Sequence, residues 1–129
     1  MDLAFVPATG QADLVRRGEV SPVELTQLYL ARIARLDPEL NAFVTVRGEE
    51  ALADARAASL APDAPFRGVP IAIKDLDSTA GIRTTLSSRA FADWIPQADN
   101  NTVARLRRAG FVILGKTNTP EFGTTAFTE

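Results

Sequence analysis

The sequence predicts an α/β fold in which helices come first and a sheet follows. Residues 1–65 carry repeated helix-start and helix-stop signals. Two short apolar runs, 69–73 and 111–114, have the length and composition of strands. A helical stretch lies between them, and this order predicts parallel strands joined by a right-handed crossover. We therefore expect a single domain with a mainly helical lead-in at 1–65 and a sheet-forming part at 66–129.

Composition and charge limit the possible partners. Of the 129 residues, 46% are hydrophobic and 23% are charged, and the formal net charge is −2. This balance gives no reason to expect nucleic acid or an anionic membrane as a partner. The first residues lack the basic region and long apolar run of a signal peptide, and no stretch is long enough to span a bilayer. We expect a cytoplasmic location.

The sequence contains neither cysteine nor histidine. Disulfides, thiolate ligands and cysteine nucleophiles are therefore excluded, as are the usual zinc sites and a serine–histidine–aspartate triad. Any general base in this chain must be a lysine, aspartate, glutamate or tyrosine. We expect neither a metal nor a cofactor.

The helices of the lead-in are recognised by their ends. A short helix at 9–17 is closed by Gly18. The Ser-Pro-Val-Glu segment at 21–24 predicts a second start, because serine caps, proline fits the first position and glutamate completes a capping box. We expect that helix to end near Leu36, because Pro38 disfavours helical backbone before it.

The other elements follow from local pattern. We expect an extended segment at 41–46, an alanine-rich helix at 49–59 and a helix from about 101 to 109 that ends at Gly110. Residues 75–93 contain turn residues and little periodicity, which predicts a loop with at most a short helix.

The strand at 69–73 ends in Lys74. Its valine and isoleucines alternate onto one face, so Lys74 falls on the other face among small residues. If that face lines a crevice, desolvation lowers the pKa of the lysine and makes it a usable base. The alternative is a lysine that ends a strand at the surface. Lys116, after the second strand, is expected at the same carboxyl edge, where open α/β sheets bind ligands.

Two polar pairs in the 75–93 segment suggest other chemistry. Asp75 and Asp77 form a D-x-D pattern that could hold a metal, but two acids without further ligands favour a solvated loop. Ser87 and Ser88 lack the glycines that sharpen the turn around a nucleophilic serine, so we interpret them as loop residues.

Residues 110–117 match the phosphate-loop pattern G-x-x-x-x-G-K-T. The four inner residues at 111–114 are apolar and favour a strand, whose N–H groups bond within the sheet and cannot hold a phosphate. We expect a loop at 115–118. Nucleotide binding remains as an alternative function.

Two long motifs resemble the amidase signature family. They are Gly-Val-Pro-Ile-Ala-Ile-Lys-Asp at 68–75 and the segment 109–123, which contains Gly-Lys-Thr-Asn-Thr-Pro-Glu-Phe-Gly. Shorter matches at 18–25 and 40–43 extend the resemblance over nearly the whole chain. The Thr-Pro-Glu at 119–121 looks closest to the branch that contains 6-aminohexanoate cyclic dimer hydrolase. The resemblance implies an amidase-signature-type layered fold: amino-terminal helices and part of a central mixed sheet covered by helices.

The resemblance also implies a chemistry. Such enzymes hydrolyse linear or cyclic amides with a serine nucleophile, a second serine on a cis peptide bond, and a lysine. By its match to the motif, Lys74 is the catalytic lysine, which in its neutral form accepts a proton from the bridging serine. Phe122, Gly123 and Thr124 fall where the acyl pocket runs in the family. The implied substrate is a small-molecule amide, and transfer of ammonia from glutamine, as in amidotransferase A-type subunits, is the alternative within the family.

The sequence departs from the family in one respect. The glycine- and serine-rich stretch that carries both serines normally lies beyond Glu129. The chain therefore resembles the amino-terminal portion of a single amidase domain, whose remainder would be its partner, and we expect no activity from it alone. Strand 111–114 would then lack neighbours and form a sheet edge. A non-catalytic interaction module is the alternative, and the apolar amino-terminal helices could support a homodimer.

Overall fold

A computed structural model describes residues 2–58 and 63–128. Within them the helices are α1 (Ala8–Arg16), α2 (Pro22–Leu40), α3 (Gly48–Ala58) and α4 (Asn101–Arg108). The strands are β1 (Phe43–Val46), β2 (Pro70–Lys74) and β3 (Val112–Thr117), and short 3₁₀ turns occupy Leu3–Phe5, Arg89–Phe91 and Glu121–Gly123. This order of elements confirms the predicted α/β class. Among the described residues, none of the helices combines the length and apolar character needed to span a bilayer.

The strands form one mixed sheet in the order β1-β3-β2. β3 pairs in parallel with β2, with α4 between them in the chain, which confirms the predicted parallel pairing. β3 also pairs antiparallel with β1. The expectation that 111–114 would form an edge is wrong, because β1 returns from the lead-in and covers that side of β3. The outer strands of this sheet are β1 and β2.

β3 is longer than predicted because it continues through 115–117, where the sequence suggests a loop. A Cβ atom at Gly115 would lie 2.0 Å from the carbonyl oxygen of Thr45 in β1. Only glycine permits this close approach of the two strands. The pairing with β2 shifts by one residue at the same point, so Gly115 marks a β-bulge within a strand, and the loop prediction is wrong.

Helix α2 continues past the predicted end at Leu36 and contains Pro38. The helix ends instead at Asn41, which adopts the left-handed conformation (φ 50°) and donates its N–H to the carbonyl of Asp37. The carboxylate of Asp37 accepts two further N–H groups of the following segment, at 2.7 and 3.1 Å. These contacts close the helix one turn later than the proline alone predicts.

The other predicted helix ends agree with the structure. α1 ends just before Gly18, which has φ +71°, and the capping box of Ser21 and Glu24 is formed. α4 is capped by the side chain of Asn100 and is followed by Gly110 with φ +94°. α3 matches the predicted 49–59 helix as far as its described residues extend.

Apolar clusters cover both faces of the sheet. On one face, α3 presents Ala51 and Ala55 to Val112 and Leu114 of β3, and α2 packs beside them. The cluster on the other face consists of Ile73, Ile82, Val103 and Ile113, with Ile71 and Leu106 packed against it. Helices on both faces of a sheet are typical of layered α/β folds.

Candidate functional site

β2 and β3 bring the two lysines of the sequence to the same end of the sheet, as predicted. Ile73 is paired with Lys116, and Lys74 is paired with Thr117. Paired residues of neighbouring strands point to the same face, and successive residues alternate. Lys116 therefore shares the face of Ile73, which packs against Val103 of α4. Lys74 points to the opposite face.

The side chain of Lys74 is exposed in this chain. On its own face, residues 70–72 of β2 form one side of an apolar groove of about 310 Å³ that α2 borders, but Lys74 lies beyond that groove. The predicted crevice around the lysine is thus not formed by the described residues. Lys74 stands at the surface, as the alternative interpretation stated.

Hydrogen bonds to neighbouring segments fix the backbone around Lys74, although its side chain is exposed. The N–H of Asp75 donates to the carbonyl of Thr117, and the carbonyl of Asp75 accepts from the N–H of Leu86, both at 3.0 Å. The carbonyl of Lys74 accepts from the N–H of Asp77, also at 3.0 Å. These bonds fix the position from which the lysine side chain projects.

The prediction that the Asp75–Asp77 pair lies in a solvated loop is wrong for Asp75, which is completely buried. One of its carboxylate oxygens accepts from the N–H of Thr85 at 3.1 Å and also from the hydroxyl of that threonine. The carboxylate of Asp77 accepts from the side chain of Asn100 at 2.6 Å. Within 2–58 and 63–128, no group of three acidic residues lies close enough to hold a metal ion.

Lys116 is completely buried, and its ammonium group is surrounded by protein oxygens. It donates to the carbonyl of Asp77 at 2.5 Å and to the hydroxyls of Thr79 and Thr84, each at 2.9 Å. The second carboxylate oxygen of Asp75 lies 3.9 Å from it. Burial lowers the pKa of Lys116 to about 8, although the nearby aspartates oppose this shift. The amine is therefore largely charged at neutral pH.

We call Lys116, Asp75, Thr79, Thr84 and Thr85 the buried hub. The three protons of the Lys116 ammonium have three protein acceptors, and residues 112–117 form a strand. This geometry contradicts the phosphate-loop alternative, which needs a free lysine and an open loop.

The hub could not be predicted from the sequence because of the bulge at Gly115. Simple alternation along β3 would place Lys116 with Val112 and Leu114, on the face opposite to its actual one. The available signal was the group of three threonines at 79, 84 and 85, in a segment otherwise interpreted as solvated loop.

Ser87 and Ser88 lie outside helices and strands, as predicted. Leu86 and Ser87 both have positive φ, at 53° and 51°. The hydroxyl of Ser87 donates to the carbonyl of Thr119, which ties this turn to the segment after β3. The serine pair thus contributes to loop structure.

The predicted pocket residues follow that segment. Phe122 is half-exposed and left-handed (φ 51°), and its N–H donates to the carbonyl of Leu86 at 2.9 Å. Its ring lies edge-on to Phe91, with centroids 6.1 Å apart. Gly123 lies against Leu76, because a Cβ atom there would be 2.5 Å from a methyl group of that leucine. Thr124 is exposed.

Comparison with known proteins gives one consistent family. The family described as Amidase matches residues 24–129. The chain is 46% identical to the glutamyl-tRNA(Gln) amidotransferase A-type subunit of Salinispora tropica, over 99% of this chain and 27% of that protein. It is 48% identical to the protein of the same name from Geobacter metallireducens, over 85% of this chain and 24% of that protein.

Solved structures agree with this assignment. 6-Aminohexanoate cyclic dimer hydrolase superposes with a TM-score of 0.87 at 39% identity, over 100% of this chain and 26% of that one. Peptide amidase from Stenotrophomonas maltophilia gives 0.86 at 33% identity, over 94% of this chain and 26% of that one. The chain thus spans about a quarter of the length of the proteins it matches.

Proposed function

Because the chain belongs to the amidase family, we propose that it forms the lysine-bearing amino-terminal part of a domain that hydrolyses amide C–N bonds. Lys74 is its catalytic lysine. The observation that carries this proposal is the arrangement at the end of β2, where the backbone is fixed on both sides of Lys74 while its amine stays exposed. A catalytic base needs both a defined position and access to a proton donor.

In the proposed reaction, the remainder of the domain covers Lys74 and removes water from it, and the amine in its neutral form accepts a proton from a bridging serine. That serine takes the proton of a second serine, whose oxygen bonds to the carbonyl carbon of the amide. The C–N bond then breaks, the leaving amine receives the proton, and water releases the acyl group. Both serines belong to the remainder of the domain, so residues 1–129 are inactive alone in this proposal.

The proposed acyl pocket includes Phe122, Gly123 and Thr124. The half-exposed ring of Phe122 and its contact with Phe91 support an apolar binding surface at this end of the sheet. The substrate would be a small linear or cyclic amide, bound without metal or cofactor.

A role in glutamine-dependent amidotransfer is the second candidate. Its support is the sequence similarity to glutamyl-tRNA(Gln) amidotransferase A-type subunits, which reaches 46% identity over nearly the whole chain in the Salinispora tropica protein. Both candidates use the same lysine, and water releases the acyl group in both. They differ in the fate of the released amine, which leaves as a product or, as ammonia from glutamine, passes to a second acceptor.

A chimeric enzyme tests the proposal. Residues 1–129 replace the matching first quarter of 6-aminohexanoate cyclic dimer hydrolase, and hydrolysis of the cyclic dimer is measured. We expect turnover, and we expect Lys74→Ala to lower kcat by about a thousandfold or more, since members of a catalytic triad act together.

Arg56→Ala is the matched control, because Arg56 is an exposed cation on α3. We expect its activity to stay within about twofold of the parent chimera. Activity that survives in Lys74→Ala would reject the assignment of Lys74. A well-folded chimera without any activity would favour the non-catalytic interaction module.

A further inference from the structure

We propose that Lys116 is a positioning residue for this amidase site, acting through the buried hub on the strand end that carries Lys74 and on the loop that supports Phe122. This inference rests on the proposed function. It assigns to the second lysine of the chain a role that differs from that of the first.

First, Lys116 binds the segment after β2 through hydrogen bonds. Its ammonium group binds the carbonyl of Asp77 and the hydroxyls of Thr79 and Thr84. These acceptors lie at positions 77, 79 and 84, in a segment without helix or strand. A single buried cation therefore fixes a loop that has no helix or strand hydrogen bonding of its own at these positions.

The second step runs from the hub to Lys74. Asp75 follows Lys74 directly, and its buried carboxylate lies between Thr85 and the ammonium of Lys116. The oxygen that faces Lys116 has no hydrogen-bond donor among the described residues. The amine of Lys116 is therefore the nearest group that faces this oxygen, so loss of the Lys116 side chain would disturb the residue adjacent to the catalytic base.

The third step runs from the hub to the proposed pocket. Thr85 is followed by Leu86, whose carbonyl accepts the N–H of Phe122 at 2.9 Å. Ser87 donates to the carbonyl of Thr119. The hub thus supports, through a short run of covalent and hydrogen bonds, both the strand end of Lys74 and the backbone of the pocket.

Amide hydrogen exchange on the 129-residue chain tests this linkage without relying on activity. The reporters are the N–H groups of Asp75, Leu86 and Phe122, whose acceptors are known. Thr84→Val keeps the shape of the side chain but removes one acceptor of Lys116, together with the bond that the hydroxyl donates to the carbonyl of Ile82. We expect exchange at all three reporters to become about tenfold faster, since a hydrogen bond to a charged group is lost.

Thr26→Val is the matched control, because Thr26 is a completely buried threonine on α2 whose hydroxyl has no partner among the described residues. We expect it to leave the three reporters within about twofold of the parent. Equal exchange in Thr84→Val and Thr26→Val would overturn the inference, because the hub would then not hold these backbone groups.

The chimeric enzyme supplies the kinetic test. We expect Thr84→Val to lower kcat by about tenfold. Thr84→Ser should keep kcat close to the parent value, because serine retains the hydroxyl. If the substitution only reduced the amount of folded protein, Thr84→Val and Thr84→Ser would lose activity to the same extent.

If Lys74→Ala has no effect, the proposed function fails and the exchange experiment still decides on the linkage. If Lys74 is essential but Thr84→Val changes neither exchange nor kcat, the positioning role fails alone.

Discussion

The two lysines of this sequence lie on neighbouring strands at the same end of one sheet, yet their surroundings are opposite. Lys74 is exposed, whereas Lys116 is completely buried and bound by three oxygens. The difference comes from a one-residue shift in the register of β3 against β2. Without the bulge at Gly115, Lys116 would pair with Lys74 and point to the same face.

This difference shows that a position at the carboxyl end of a strand does not by itself define a catalytic group. Every proton of the Lys116 ammonium has a protein acceptor, so that amine has no free donor for a substrate. The amine of Lys74 is exposed, and the bonds that fix its position are those of the neighbouring backbone. We infer that one lysine is available for chemistry while the other stabilises the structure that presents it.

The largest expected effect is a difference in the free energy of unfolding between variants of the two lysines. Lys116→Met should lower the free energy of unfolding of the 129-residue chain by about 3–5 kcal/mol, because three buried oxygen acceptors and the buried carboxylate of Asp75 lose the amine that faces them. Lys74→Met should change it by no more than about 0.5 kcal/mol, since an exposed side chain is replaced. Urea unfolding followed by circular dichroism measures both.

Equal loss of stability in the two variants would contradict the contrast drawn from the structure. A variant of Lys116 that does not fold at all agrees with the prediction, provided that Lys74→Met folds normally under the same conditions.

Much of the fold could be predicted because the signals are local. The capping box at 21–24 and the glycine after α4 define helix ends through bonds within a few residues. The parallel pairing of β2 and β3 followed from the order of elements, and the place of Lys74 on β2 followed from alternation.

The parts that could not be predicted depend on contacts between distant segments. β1 covers β3 only because the chain returns across it, and the close approach at Gly115 involves Thr45, far away in sequence. The end of α2 depends on backbone bonds to Asp37 that a proline rule does not include. The buried hub joins residues 75–85 to Lys116, so no local pattern predicts it.

A pH titration of stability gives the second largest effect. The pKa of Lys116 is about 8 in the folded chain and 10.5 for an unperturbed lysine. Between these values the unfolded chain binds more protons, so the free energy of unfolding should rise with pH. We expect a rise of roughly 2–3 kcal/mol between pH 8 and pH 10.5 from this group.

The control for that titration is Lys116→Met, which lacks the titrating amine but keeps all other groups that ionise in this range. Subtracting its pH profile from that of the parent chain isolates the contribution of Lys116. Two parallel profiles would mean that Lys116 has an ordinary pKa in the folded chain, and hence that burial does not desolvate its ammonium group.

The smallest expected effect concerns the coupling between Asp75 and Lys116 inside the hub. Asp75→Asn alone should destabilise the chain, because Lys116 then loses its nearest carboxylate. In the Lys116→Met background the same change should instead recover about 1–2 kcal/mol, since it removes a buried charge that has no compensation. The control is Asp54→Asn, which breaks the half-exposed ion pair with Arg47 and should give no recovery. Simple additivity of Lys116→Met and Asp75→Asn would show that the two side chains are not coupled. Lys116 would then stabilise the segment after β2 through its three oxygen acceptors alone, without acting through the residue next to Lys74.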